Sequence, residues 1–295
     1  MQTKSTQPTV SVLEDTSEPQ RAEAPCLVIG PRKSWLDLDL RSIYVYRELL
    51  YFLVWRDVKV RYKQASIGAT WAILQPVLTM LVFTIIFGKF AKMPSDGLPY
   101  PIFAYTALLP WNYFAQAISQ SGSSVVRNSN LISKVYFPRL IMPIASTLTP
   151  LVDFAIAFII LVGMMVWYGI TPTWGVLALP LFLLLAMLTA VAVCLFLSAL
   201  NVQYRDVEHA IPFLVQFWMY ASPVVYSVHI VPEKWRALYS LNPMVGVMEG
   251  FRWALLGRVH PDFVVMIVSA AAVVLLLFGG LIYFRRMERT FADVI

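Results

Sequence analysis

The sequence predicts an all-α polytopic membrane protein with six transmembrane helices, an N-terminal amphipathic interface helix and re-entrant helices before the last span. Three observations predict it. Of the 295 residues, 59% are hydrophobic. Only 14% are charged, against about 25% in an ordinary soluble domain. Long apolar runs recur along the chain, and about 20 apolar residues in a helix cross the roughly 30 Å hydrocarbon core. Helices are the expected spanning form, because each satisfies its own backbone polar groups within the bilayer.

Residues 1–34 are polar and carry several prolines, with no apolar core of the kind a cleavable signal needs. They read as a mobile cytoplasmic tail. The region 35–66 follows as the interface segment. Within it, Leu50, Val54 and Val58 recur at i, i+4, while Arg56, Lys59 and Lys63 occupy another face. This suits a helix at the membrane surface, with its basic side toward lipid or substrate phosphates. A soluble helix packed on a partner has the same pattern.

The six-helix transmembrane domain covers residues 67–295, with spans at 68–90, 100–126, 140–168, 174–200, 209–226 and 263–284. The second span is polar along its later half, with Asn112, Gln116, Ser119, Gln120, Ser123 and Ser124. Polar groups in lipid need partners or water, so this helix faces neighbours or a pathway. Asp153 is the one ionisable residue clearly inside a span. A single carboxylate is thin support for ion-coupled transport, and such a residue more often caps a local polar network or faces a helix interface.

Residues 230–257 are too interrupted to span, yet rich in Trp, Leu, Met and Phe. They read as a pair of short re-entrant helices, or as a helix lying flat on the membrane. Glu249 and Arg252, at i, i+3, can neutralise each other there.

Orientation follows from the cations. With the N-terminus inside, the outer segments hold only Lys89, Lys92, Lys234, Arg236, Arg252 and Arg258 of the chain's 23 Lys and Arg. The rest fall in cytoplasmic pieces, as the positive-inside bias requires. Both termini are expected in the cytoplasm. The net charge of +6 thus points to membrane topology rather than to nucleic acid. The loop RNSNLISKVYFPR, residues 127–139, is cytoplasmic on this count. Its short amphipathic helix offers a partner somewhere to push.

No G-x-x-x-x-G-K-[ST] loop, zinc motif or protease motif occurs in the sequence. Cys26 and Cys194 have no metal-ligand spacing and are not expected to pair. No catalytic, metal or cofactor site is expected in this chain, so any ATP-driven step needs a separate subunit. Phe83, Phe87, Tyr105, Phe213, Phe217 and Tyr220 lie too deep to be simple interface anchors. Each is either packing or a stacking face for sugar rings in a channel.

Five segments in order, IGATWAILQPVLTMLVFTIIFGKF, NLISKVYFPRLIMP, NVQYRDV, SPVVY and LNPMVGVMEGFRWALLG, together resemble the membrane subunits of ABC-2-type exporters. The nearer branch is the O-antigen, capsule and teichoic acid permeases. The resemblance runs from about Trp55 to the C-terminus. It implies a type V exporter-like fold in a bacterial inner membrane, with two copies of this subunit and two cytoplasmic ABC ATPase subunits that bind ATP and magnesium. The cargo implied is a lipid-linked polysaccharide. A coupling helix is implied at about residues 128–137, with Asn130, Leu131, Ile132, Lys134, Val135 and Tyr136 as its contact residues. An ABC-2 exporter of a drug, antibiotic or small lipid would carry similar spans. An ATP-independent carrier or a membrane scaffold is a further alternative.

Overall fold

A computed structural model describes residues 44–63, 68–257, 262–289 and 291. The expected tail 1–34 lies outside the described residues. Among these residues all regular structure is helical. The helices are α1 (Arg47–Lys63), α2 (Gly68–Phe83), α3 (Tyr100–Ser121), α4 (Ser124–Arg127), α5 (Ser129–Lys134) and α6 (Ile141–Leu148). They continue as α7 (Leu151–Trp167), α8 (Leu179–Gln203), α9 (Val207–Tyr220), α10 (Glu233–Tyr239), α11 (Pro243–Leu256) and α12 (Phe263–Glu288). A π-helical stretch, Thr84–Phe90, extends α2, and a 3₁₀ turn, Trp174–Ala178, leads into α8.

Among the described residues, four stretches are long and apolar enough to cross a membrane. They are Thr70–Phe90, Ile141–Trp167, Trp174–Gln203 and Phe263–Glu288, with 21, 27, 30 and 26 residues. At 1.5 Å per residue each reaches the roughly 30 Å of the hydrocarbon core. They correspond to the first, third, fourth and sixth expected spans. The other two are built differently. Helix α3 has 22 residues but carries the polar side noted above. Helix α9 has 14 residues, about 21 Å, and ends before the SPVVY segment.

Three boundaries differ from expectation, each for a local reason. The third span is divided, with α6 ending at Leu148 and α7 starting at Leu151. Pro150 lies at the junction as the N-cap of α7, where its missing N–H costs nothing. The second span stops at Ser121 instead of reaching Val126, with Gly122 as its C-cap. The segment 222–226 is not helical, because Pro223 cannot continue the helix that Tyr220 closes.

Helix α3 is the axis of the fold. It packs against α2, α6, α7, α8, α9 and α11, and most of its residues are buried. Its polar side chains divide: Gln116 accepts from Arg61 of α1 at 3.2 Å, while Ser119 is exposed and donates to the Ala115 carbonyl of its own helix. Helices α8 and α12 share the most extensive helix–helix contact. Gly280 permits it, since a Cβ there would lie 2.7 Å from the Ala192 carbonyl oxygen.

Helix α11 is buried along almost its whole length among α3, α8 and α12. It does not lie on the surface of the subunit. Its ends are sharply specified. The Asn242 side chain accepts from the Met244 N–H at 3.1 Å, and Pro243 opens the helix. Gly257 closes it at φ 63, the left-handed cap that glycine adopts without strain. By contrast α10 has no buried residue.

Candidate functional site

At one end of the bundle, α1, the 128–137 segment and the C-terminal end of α12 share a core. Leu53, Val125, Phe137, Leu140, Phe284 and Phe291 are buried together there. Leu131 and Ile132 are partly buried against this cluster. Val135 and Tyr136 are 49% and 57% exposed, and Asn130 and Lys134 are also exposed. The helix is shorter than the 128–137 expected. It ends at Lys134, and Val135 is extended, with φ −129 and ψ 131. Phe137 precedes Pro138, and a residue before proline is steered away from the helical region. The four apolar residues expected to form one grip therefore divide. Leu131 and Ile132 fasten the segment to its own subunit, while Val135 and Tyr136 stand outward.

Helix α1 is tied to this segment by a side-chain bond. Arg56 donates to Asn128 Oδ1 at 3.0 Å and pairs with Asp57 at 2.8 Å. Asn128 in turn donates to the Ser124 carbonyl at 2.8 Å. Of the three cations expected to face phosphates, Arg56 is thus engaged within the subunit, and Lys59 and Lys63 are exposed. Helix α1 also departs from a simple two-faced pattern. Leu53 is its buried residue, but Tyr51, Phe52 and Trp55 are exposed at 70%, 60% and 55%. Such outward aromatics suit a membrane interface.

A second polar cluster joins α1 to the bundle. Arg61 and Tyr62 both donate to Asp153, and Arg61 donates also to Gln116 Oε1 at 3.2 Å. Burial, then Asp153 itself, raises the Tyr62 phenol above its ordinary pKa, so it stays protonated and donates. Asp153 lies in the first turn of α7, where the helix dipole favours a carboxylate. A cleft between α2, α3 and α7 opens beside it, lined by Gln75, Asn112, Tyr113, Gln116 and Phe154 among others. The local polar network expected at Asp153 is present, and its cation is Arg61. The available signal was the rule that a carboxylate inside a span requires a cation. That rule does not choose among Arg56, Lys59, Arg61 and Lys63, all of which precede the first span.

The opposite end of α3 meets a buried arginine. Arg252 is fully buried and pairs with Glu249 at 3.1 Å. It donates to the Tyr226 and Val224 carbonyls at 3.2 and 3.0 Å, and its guanidinium lies 3.7 Å from the Phe103 ring centroid. Tyr100 donates to the Val225 carbonyl at 2.8 Å. Asn242 donates to the Ala221 carbonyl and Ser222 Oγ, and Trp218 donates to Asn242 Oδ1. The expected Glu249–Arg252 pair thus forms. It belongs to a frame that satisfies the carbonyls of the non-helical segment 222–226.

The six deep aromatics do not converge. Tyr105 is fully buried, with its hydroxyl donating to the Ala157 carbonyl at 3.1 Å. Enclosed by neighbouring helices, it has no surface to offer a channel within this subunit. Phe83 is buried and meets Phe87 edge-on at 5.6 Å. Phe213, Phe217 and Tyr220, at 72%, 65% and 59% exposure, stand together on the outer side of α9.

The family pattern described as ABC-2 type transporter matches residues 48–256. The chain belongs to the ABC-2 type transporter family. It is similar to the O-antigen export system permease protein RfbA of Myxococcus xanthus. The identity is 31% over 259 residues, covering 87% of this chain and 98% of that protein. It is 25% identical over 253 residues to the protein of the same name from Klebsiella pneumoniae, covering 84% and 95%. The polysialic acid transport protein KpsM of Escherichia coli is 23% identical over 238 residues, covering 79% and 91%. The ABC-2 match begins in α1 and ends in α11. It therefore contains the 128–136 segment, the Asp153 cluster and the Arg252 frame of this ABC-2 chain, and it leaves out α12.

Proposed function

We propose that this chain is the membrane-spanning permease subunit of an ATP-driven exporter that moves a lipid-linked, O-antigen-like polysaccharide across a bacterial inner membrane. The observation that carries this reading is the near full-length similarity to relatives named as O-antigen export permeases. The chain has no nucleotide-binding loop of its own, so hydrolysis falls to a separate ABC ATPase holding ATP and magnesium. The working assembly is two copies of this chain with two ATPase subunits. Similarity to the capsule polysaccharide export inner-membrane protein CtrC of Neisseria meningitidis supports capsule polymer as the alternative cargo.

In this assembly α3 and α9 complete six spans with the four long apolar stretches, and α10 and α11 re-enter the outer leaflet. The end bearing α1, α5 and the last turn of α12 faces the cytoplasm with both termini. The cluster of Arg285, Arg286 and Arg289 there supports this orientation. Exposed Val135 and Tyr136, with Asn130 and Lys134 beside them, form the surface on which the ATPase pushes. Lys59 and Lys63 attract the phosphate of the lipid carrier. The outward aromatics of α9 provide sugar-stacking faces where two copies meet. Deleting the chain in its host is expected to remove the surface polymer and to accumulate lipid-linked glycan inside. Unchanged surface polymer would contradict the assignment.

A further inference from the structure

The two halves of α1 are held by different forces. The first half has Leu53 in the core, with Tyr46, Leu49, Leu50 and Val54 packed around it. From Asp57 to Lys63 no residue is buried, and Val60 is 55% exposed. The bonds that fix this half to the bundle are polar, from Arg61 and Tyr62 to Asp153 on α7 and from Arg61 to Gln116 on α3.

We propose that Asp153 is a positioning residue that pins the C-terminal half of α1 to α3 and α7, making α1 a rigid strut between the 128–136 segment and the first membrane helix. The inference rests on the exporter reading for its consequence, but not for its geometry. Arg56 holds the strut at Asn128. Arg61 holds it at Asp153, five residues on, or about 7.5 Å along the helix. With both pins closed, a displacement of Asn128 is carried to the α3–α7 pair and to the start of α2. With the second pin open, the same displacement only bends the unanchored half of α1. A carboxylate this enclosed requires a countercharge, and Arg61 supplies it from the helix that has to be held.

The test uses the full chain with its co-expressed ATPase in lipid nanodiscs, comparing Asp153→Asn, Arg61→Met and the double variant. Amide hydrogen exchange is expected to quicken at least tenfold over residues 57–63 in each. Residues 47–54 should exchange as before. Polymer moved per ATP hydrolysed should fall at least fivefold, while ATPase activity stays within twofold. The double variant should be no worse than either single one, since both open the same pin. Unchanged exchange over 57–63 in Asp153→Asn overturns the pin. Quickened exchange with unchanged polymer per ATP overturns its part in coupling. If Asp153→Asn does not assemble, Tyr62→Phe, which deletes one oxygen, carries the exchange comparison, with at least a threefold increase expected and no increase overturning the pin. A wild-type complex that moves no glycan at all would refute the exporter reading, while the exchange result still decides the pin.

Discussion

Arg252 pairs with Glu249 within α11, donates to the Val224 and Tyr226 carbonyls of the non-helical segment, and lies over the Phe103 ring of α3. Removing it strands a buried carboxylate. Breaking a buried pair from one side costs about 3–5 kcal/mol. Arg252→Met should therefore lower the melting temperature of the detergent-solubilised subunit markedly. Adding Glu249→Gln to Arg252→Met should recover part of the loss. A melting temperature unchanged by Arg252→Met would mean the frame is held by its other bonds. The basic residues of α1 make a separate prediction. Arg56 is engaged within the subunit, so the proposed phosphate contact falls to Lys59 and Lys63. Lys59→Gln with Lys63→Gln should slow export of a lipid-diphosphate glycan severalfold at unchanged protein level. An unchanged rate would reduce both to membrane anchors.

At the scale of elements, the 128–137 segment is a short helix followed by an extended arm rather than one helix. The two parts predict different phenotypes. Leu131→Asp places a charge against the core of Leu53 and Phe284, and burying an unpaired charge destabilises strongly. That variant should lose protein from the membrane. Val135→Asp alters an exposed residue of the arm. It should leave the protein in place, keep ATP hydrolysis, and reduce export at least fivefold. Protein level and export rate, measured together, separate the two, and equal phenotypes would contradict the division of the segment.

The same elements explain what the sequence could and could not disclose. Apolar run length marked the four long spans, because length against bilayer thickness is a one-dimensional quantity. The i, i+3 spacing gave Glu249 and Arg252, which share one helix. Periodicity alone could not say which of Leu131, Ile132, Val135 and Tyr136 turn inward, because the helix stops at Lys134 and the phase is lost. Nor could it join Arg61 to Asp153, 92 positions away, or show that Tyr105 is enclosed while Phe213 is bare. Those facts depend on which helices become neighbours.

At the scale of the whole molecule, the subunit places two bonded frames at opposite ends of one buried helix. Gln116 and Tyr100 on α3, which contact the two frames, are 16 residues apart, or about 24 Å along the axis. A helix this enclosed can carry displacement between its ends, as a pathway driven from one side requires. In the proposed function, a separate ATPase drives this chain to move a lipid-linked glycan. This is tested most directly by transbilayer movement of that glycan in proteoliposomes holding the chain and its co-purified ATPase. Movement should require ATP, magnesium and both proteins, and Val135→Asp should slow it at least fivefold without stopping hydrolysis. Movement without the ATPase, or a static glycan beside ATP-driven export of a small drug, would contradict that function.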